Sequence, residues 1–199
     1  MKSNSLATVV VSISIAASAY ALNVGDKAPS TSVKMKGVDG KELSIADVAG
    51  KEGTLVIFSC NHCPYVKAWQ GRIASIGNAA KGKGVGVIVI NSNDPAAYAE
   101  DSFSEMQKRA QQLGFTFPYV VDATSDVARA YGATRTPEAF LFDKGGKLVY
   151  HGAIDDSKEA DQVTKHYLQD AIDALVGGKE ISAKETKFIG CSIKYRAKG

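Results

Sequence analysis

The chain has 199 residues, 45% apolar and 23% charged, with three cysteines and a formal net charge of +3. That apolar content suits one globular domain with a sizeable core, and the small net charge excludes a general affinity for nucleic acid. Repeats and long low-complexity tracts are absent, and beyond the first residues no apolar run approaches the roughly 20 residues of a membrane span, so the mature chain is not expected to span a membrane.

Lys2, the apolar stretch from Leu6 to Ala17 and the small-x-small pattern Ala19-Tyr-Ala21 have the three-part layout of an export signal. Residues 1–21 are therefore read as a signal peptide and residues 22–199 as the mature domain, periplasmic or secreted. Gly25 to Pro29 is rich in turn formers, and Thr31 to Lys36 alternates polar and apolar as a half-buried strand does. Val38-Asp-Gly40 predicts a hairpin turn with Lys41 to Leu43 returning, and Ser44 can cap a short helix. The apolar run 54–59 reads as a buried strand, followed by a helix from about Cys63 to Lys81 with Pro64 in its first turn. Val66, Trp69, Ile73 and Ile76 or Gly77 mark the inner face of that helix.

Val85 to Ile90 has the continuous apolar character of a central parallel strand. After the loop Asn91 to Asp94, a helix is expected over 95–113 with Asp94 as cap and Tyr98, Phe103, Met106, Ala110 and Leu113 inward. Residues 118–122 form a short strand, and 125–131 a short helix capped by Ser125 and closed by Gly132. Strand 138–143, a loop at 144–147, strand 148–152 and an amphipathic helix over about 158–176 complete the body. From about 177 the chain carries six basic residues against two acidic ones, which reads as a solvated basic tail or a contact for an acidic partner. Strands alternating with helices and ending in a hairpin indicate an α/β fold, a central mixed β-sheet flanked by helices on both faces, with an N-terminal β-hairpin extension.

Cys60 and Cys63 fall at the strand-to-helix turn, where free N–H groups and the helix dipole favour a thiolate. A bridge across two residues closes too small a loop to stabilise the fold much. In an exported chain the pair therefore reads as redox-active, with Cys60 the exposed, attacking thiol and Cys63 the shielded, resolving one. His62 between them is placed to stabilise a Cys60 thiolate.

These features resemble the thioredoxin superfamily, and within it the redoxin branch that includes the alkyl-hydroperoxide-reductase/thiol-specific-antioxidant proteins. The likeness rests on Cys60-Asn-His-Cys63 after its strand, on Thr136-Pro137 before Glu138-Ala-Phe-Leu-Phe-Asp143, and on Gly145-Gly146 in the hairpin. The Cys-Asn-His-Cys-Pro-Tyr-Val-Lys stretch and the end Gly190-Cys-Ser-Ile-Lys-Tyr195 are similar to an exported redoxin-like group. The resemblance covers about residues 24–195. It implies a thioredoxin-like fold, a cis Pro137 beside the sulfurs, and a groove in which Thr136 pairs with an incoming peptide. It also implies a thiol-disulfide oxidoreductase that needs no cofactor and no resident metal. Its partners would be protein thiols or disulfides and an upstream redox protein.

Two rival chemistries bear on the same residues. Peroxidases of the branch resemble a pattern with Thr or Ser three residues before the attacking Cys and an Arg at the later strand, but Ile57 and Pro137 stand there, leaving only Arg135 nearby. Copper chaperones of this fold resemble a CxxxC spacing with a remote His, whereas this chain has CxxC, with His151 and His166 reading as rim or surface residues. Cys191 is open to three readings: a buried inert residue, a link to another chain, or a third redox thiol. Tyr65 and Trp69 are read as packing against the sheet and Lys67 as solvent-facing, while Asp47 or Glu52 would be a proton relay only if it reached Cys63.

Overall fold

The computed structural model describes residues 21–197. The expected export signal lies outside them apart from Ala21. Seven strands form one mixed sheet: β1 (Met35–Gly37), β2 (Glu42–Leu43), β3 (Gly53–Phe58), β4 (Val85–Asn91), β5 (Tyr119–Val121), β7 (Glu138–Asp143) and β8 (Leu148–Gly152). Their order is β2-β1-β5-β4-β3-β7-β8. β3, β4 and β5 run parallel, and β7 pairs antiparallel to β3 with Ile57 opposite Ala139. The N-terminal hairpin β1–β2 joins the far edge antiparallel to β5. A second, two-stranded sheet pairs β6 (Arg135–Thr136) with β9 (Cys191–Ser192).

Alternation along the strands divides the interior in two. Leu55 and Ile57 of β3 face Trp69 and Ile73 of α1 (Pro64–Gly82), Met106 of α2 (Phe103–Gln112) and Leu168 and Ile172 of α4 (Tyr167–Val176). Val56 and Phe58 face the other way, onto Val127 and Tyr131 of α3 (Asp126–Tyr131) and onto Met35 and Ile45. Every residue of β3 is buried, so this strand holds both layers and fixes the turn at its end. At the inward position Gly77 of α1, an added Cβ would lie 2.4 Å from the Phe117 ring; the helix can sit this close only without a side chain there. Among the described residues no helix is long and apolar enough to cross a membrane.

Several expected boundaries shift for local reasons. The strand expected from Thr31 begins only at Met35, because Ser30 adopts a left-handed φ of 52° in a turn. The helix expected over 95–113 begins at Phe103: Asp94 closes a turn through Ala96 N and Ala97 N, and the chain then dips inward at Asp101, which is 2% exposed. Tyr98, expected inward, is exposed. The final helix begins at Tyr167 rather than Lys158, since Asp156 accepts N–H bonds from Thr164 and Lys165 and folds the segment into a loop. Ser125 sits at φ 60° and does not cap α3; its Oγ donates to Ser92 O, and Asp122 Oδ2 accepts the Ala128 N–H instead.

The largest correction concerns the basic tail. Residues 181–196 are not a solvated extension but a strap that returns over the body, burying Ile181 and Ile193. His151 N donates to Lys184 O, Ala153 N to Thr186 Oγ1, and Asp94 N to Lys194 O. Lys184 and Lys187 are exposed, while Ile181 and Ile193 anchor the segment.

Candidate active site

β3 delivers the chain to Ser59, whose N–H bonds Ile90 O, and Cys63 then becomes the N-cap of α1 with Pro64 at the first helical position. Pro64 lacks the N–H that would be unpaired there. The two residues between the sulfurs are held as firmly as the sulfurs. Asn61 N donates to Asp101 Oδ1 at 2.6 Å, Asn61 Nδ2 donates to Glu100 O, and Asn61 Oδ1 accepts from the Tyr119 hydroxyl. His62 Nδ1 bonds Asp101 Oδ2 at 2.6 Å, His62 N approaches Asp101 Oδ1 at 3.3 Å, and the ring stacks on Tyr98 with centroids 3.8 Å apart. Asn93 Nδ2 also donates to Asp101 Oδ2. Asp101 is thus the organising group of the turn, a buried carboxylate with donors from three sides.

The second wall is the loop between β6 and β7. The Thr136–Pro137 peptide is cis, as the resemblance implied. Thr136 touches both sulfurs: its Oγ1 lies 3.2 Å from Cys60 Sγ and its carbonyl oxygen 3.4 Å from Cys63 Sγ. Glu138 fixes this loop from beneath, with Oε2 accepting the N–H groups of Thr134 and Arg135 and Oε1 bonded to His151 Nε2 at 2.8 Å. Cys191 of the strap packs against Cys60, Cys63 and Val66.

Both thiols of the pair are sealed, Cys60 at 2% exposure and Cys63 at 0%, so Cys60 is not the open thiol that the spacing suggested. Their proton affinities separate. Cys63 is held well below the usual thiol range, because the Cys60 thiol donates to it, with further bonds from Cys191 and the Val66 N–H. Cys60 is pushed far up, by giving that bond, by burial and by the negative charge of Asp101. In the reduced pair the negative charge therefore rests on Cys63 at the helix N-terminus. His62 is tied to Asp101 rather than aimed at Cys60 alone.

Asp47, considered as a relay, is engaged by Lys34 and Ser44, and Glu52 by Lys51; the acid at the sulfurs is Asp101. Arg135 donates to Gly190 O, and Ile57 points into the core. His151 is bonded to Glu138 and His166 precedes α4, so neither reaches the cysteines as a copper ligand. A different set, Cys60, His62 and Asp101, has ligand atoms within 4.8 Å of one another, but His62 Nδ1 and Asp101 Oδ2 already satisfy each other. Trp69 is buried with Nε1 donating to Asp155, Tyr65 stacks on it, and Lys67 pairs with Glu100 at the surface. Asp101 and Asn93 carried no site assignment from the sequence, and Tyr98 carried only that of an inward helix position. Ser102 directly before the apolar-periodic Phe103 was the available signal: a helix start there releases Asp101 to face the turn.

Residues 23–168 match the family described as Redoxin. The chain is 29% identical over 130 residues to the thiol-disulfide oxidoreductase ResA of Geobacillus thermodenitrificans, covering 64% of this chain and 68% of that protein. Among solved structures, an uncharacterized conserved protein from Geobacillus kaustophilus is 39% identical, with a TM-score of 0.83 over 89% of this chain and 94% of that one. A hypothetical protein from Sinorhizobium meliloti is 33% identical, with a TM-score of 0.82 over 90% and 98%.

Proposed function

The chain belongs to the redoxin family and is a thiol-disulfide oxidoreductase, and from that premise we propose that the exchange runs through Cys60 and Cys63 with protein thiols or disulfides as substrates. The observation that carries this assignment is the position of Thr136. It lies beside the cis proline and touches both sulfurs, so a peptide strand that takes the place of Cys191–Ser192 against it brings its own sulfur to the pair.

A substrate thiolate attacks Cys60 Sγ of the disulfide, the Cys60–Cys63 bond breaks, and Cys63 leaves as the thiolate. Its low proton affinity makes it the better leaving group and directs attack to Cys60. A second substrate thiolate attacks the substrate sulfur of the mixed disulfide, and Cys60 departs and takes up a proton. His62 and Asp101, beside that sulfur, hold and return this proton. Two electrons pass from two substrate thiols into the pair, and the reverse sequence reduces a substrate disulfide. Stabilising Cys63 as a thiolate favours the dithiol form and makes the pair a better electron acceptor. An upstream redox protein resets the pair, and residues 1–21 place the reaction outside the cytosol as an export signal.

Cys60→Ser abolishes turnover in an insulin-reduction assay, while Cys63→Ser accumulates a covalent adduct at Cys60 that runs as a larger species on non-reducing gels. Full activity in Cys60→Ser overturns the assignment.

A further inference from the structure

The slot that an incoming peptide would use is filled by the chain itself. Cys191–Ser192 pairs antiparallel with Arg135–Thr136, and Cys191 lies directly opposite Thr136, the residue that touches both active-site sulfurs. Ile193 N donates to Thr134 O at 2.9 Å, and Arg135 Nη1 donates to Gly190 O at 2.9 Å. Beyond it, Lys194 N donates to Asn93 Oδ1, tying the strap to the residue that holds Asp101. Gly190 permits this approach: a Cβ there would lie 2.2 Å from Thr136 O. The strap thus docks by strand addition, the mode in which an extended peptide binds a free backbone edge. A cysteine occupies the position at the sulfurs, packed against Cys60 and Cys63.

We propose that Gly190–Ile193 is a built-in counterpart of the peptide substrate and that Cys191 is a third catalytic thiol, which exchanges with the Cys60–Cys63 disulfide to form Cys63–Cys191. This rests on the assignment of exchange to Cys60 and Cys63. The Cys191 thiolate attacks Cys63 Sγ, the sulfur it lies against, so that position overrides the leaving-group preference that directs a free substrate to Cys60; the Cys60–Cys63 bond breaks as the Cys63–Cys191 bond forms. The proton lost by Cys191 ends on Cys60. The oxidation state of the chain is unchanged, since one disulfide replaces another and no outside oxidant is consumed. Cys60 emerges as a free thiol with its His62–Asp101 neighbours intact. In the reduced pair, where there is no disulfide to attack, the Cys191 thiol is raised to about 11 by burial and by its bond to, and the charge on, Cys63, so it stays protonated. Once Cys63 is in a disulfide, that charge is gone and Cys191 ionises more readily. Exchange therefore follows oxidation of the pair, and the new bond fastens the strap across the groove.

The test maps disulfides in the full chain after one equivalent of diamide, with remaining thiols blocked by N-ethylmaleimide before non-reducing digestion and mass spectrometry. A Cys63–Cys191 peptide is expected beside Cys60–Cys63 in the wild type. In Cys60→Ser it becomes the sole internal linkage, and the free thiol count falls from two to zero. If the Cys63–Cys191 peptide is missing from both chains while Cys191→Ser still forms Cys60–Cys63, the proposal falls and the two-cysteine assignment stands. If Cys191→Ser forms no internal disulfide, both fall together. The wild-type map decides the matter even if Cys60→Ser does not fold.

Discussion

His62 and His151 sit in matching surroundings, one within the cysteine turn and one beneath the Thr136 loop. Each imidazole stacks on an aromatic ring, His62 on Tyr98 at 3.8 Å and His151 on Phe140 at 4.3 Å between centroids. Each also bonds a carboxylate from which water is excluded, Asp101 at 2.6 Å and Glu138 at 2.8 Å. In both cases the carboxylate collects backbone N–H groups of a loop that walls the site: Asn61 and His62 for Asp101, Thr134 and Arg135 for Glu138. The difference lies in the remaining neighbours. His62 and Asp101 lie beside the Cys60 sulfur, whereas His151 turns toward Phe188 of the strap. A buried histidine–carboxylate pair is therefore a device for holding loops, and it becomes chemical only where a reacting atom shares its space.

The largest effect is expected from Asp101→Asn. Four donors converge on this carboxylate, and an amide in its place turns an NH2 group toward some of them. The loss in urea unfolding should be about 3–5 kcal/mol, the range for a broken buried pair. The sign of the pH effect is fixed as well. Asp101's charge raises the Cys60 proton affinity, so removing it stabilises the Cys60 thiolate, and the pH midpoint for Cys60 alkylation moves down. A midpoint that stays or rises would break the distinction between the two histidines.

What was legible in the sequence follows from how local each signal is. The apolar runs of β3 and β4, the cysteine pair at the strand end and Thr136-Pro137 announce themselves within a few residues, and the sheet formed as expected. Asp101 was hidden because the polar and apolar residues of 95–113 also fit one continuous helix. Only contact with a turn 40 residues earlier breaks that helix at Ser102. The strap was hidden for a related reason. The six basic residues from 177 onward dominate a charge count, while the four residues that secure the strap to the groove, Gly190–Ile193, pair with Thr134–Thr136, which are remote in sequence. Composition reports the outward face of such a segment, and its backbone pairing leaves no compositional trace.

Glu138→Gln sharpens the comparison from the other side. The amide oxygen can keep one of the interactions made by the carboxylate, but the charge that strengthens the bonds to Thr134 and Arg135 is lost. A loss of about 1.5–3 kcal/mol in thermal or urea unfolding is expected, as for hydrogen bonds to a charged group. The alkylation midpoint of Cys60 should move far less than in Asp101→Asn, since Glu138 spends its oxygens on Thr134, Arg135 and His151 rather than beside the sulfur. A shift comparable to that of Asp101→Asn would mean that the two carboxylates act on the sulfur alike.

The smallest effect is expected from Tyr98→Ala. Tyr98 is 42% exposed, yet its ring lies parallel to His62 with an interplanar angle of 3° and covers it from solvent. Removing the ring should cost about 0.5–1.5 kcal/mol, the value of an aromatic pair beyond its buried area. The bond between His62 and Asp101 does not depend on it, because the carboxylate is held by Asn61 and Asn93 as well. The Cys60 midpoint should accordingly move much less than in Asp101→Asn. If instead the two variants shift it equally, exclusion of water by the ring sets the proton affinity of Cys60. His62 would then differ from His151 in what it shelters, and the carboxylate charge would carry no separate role.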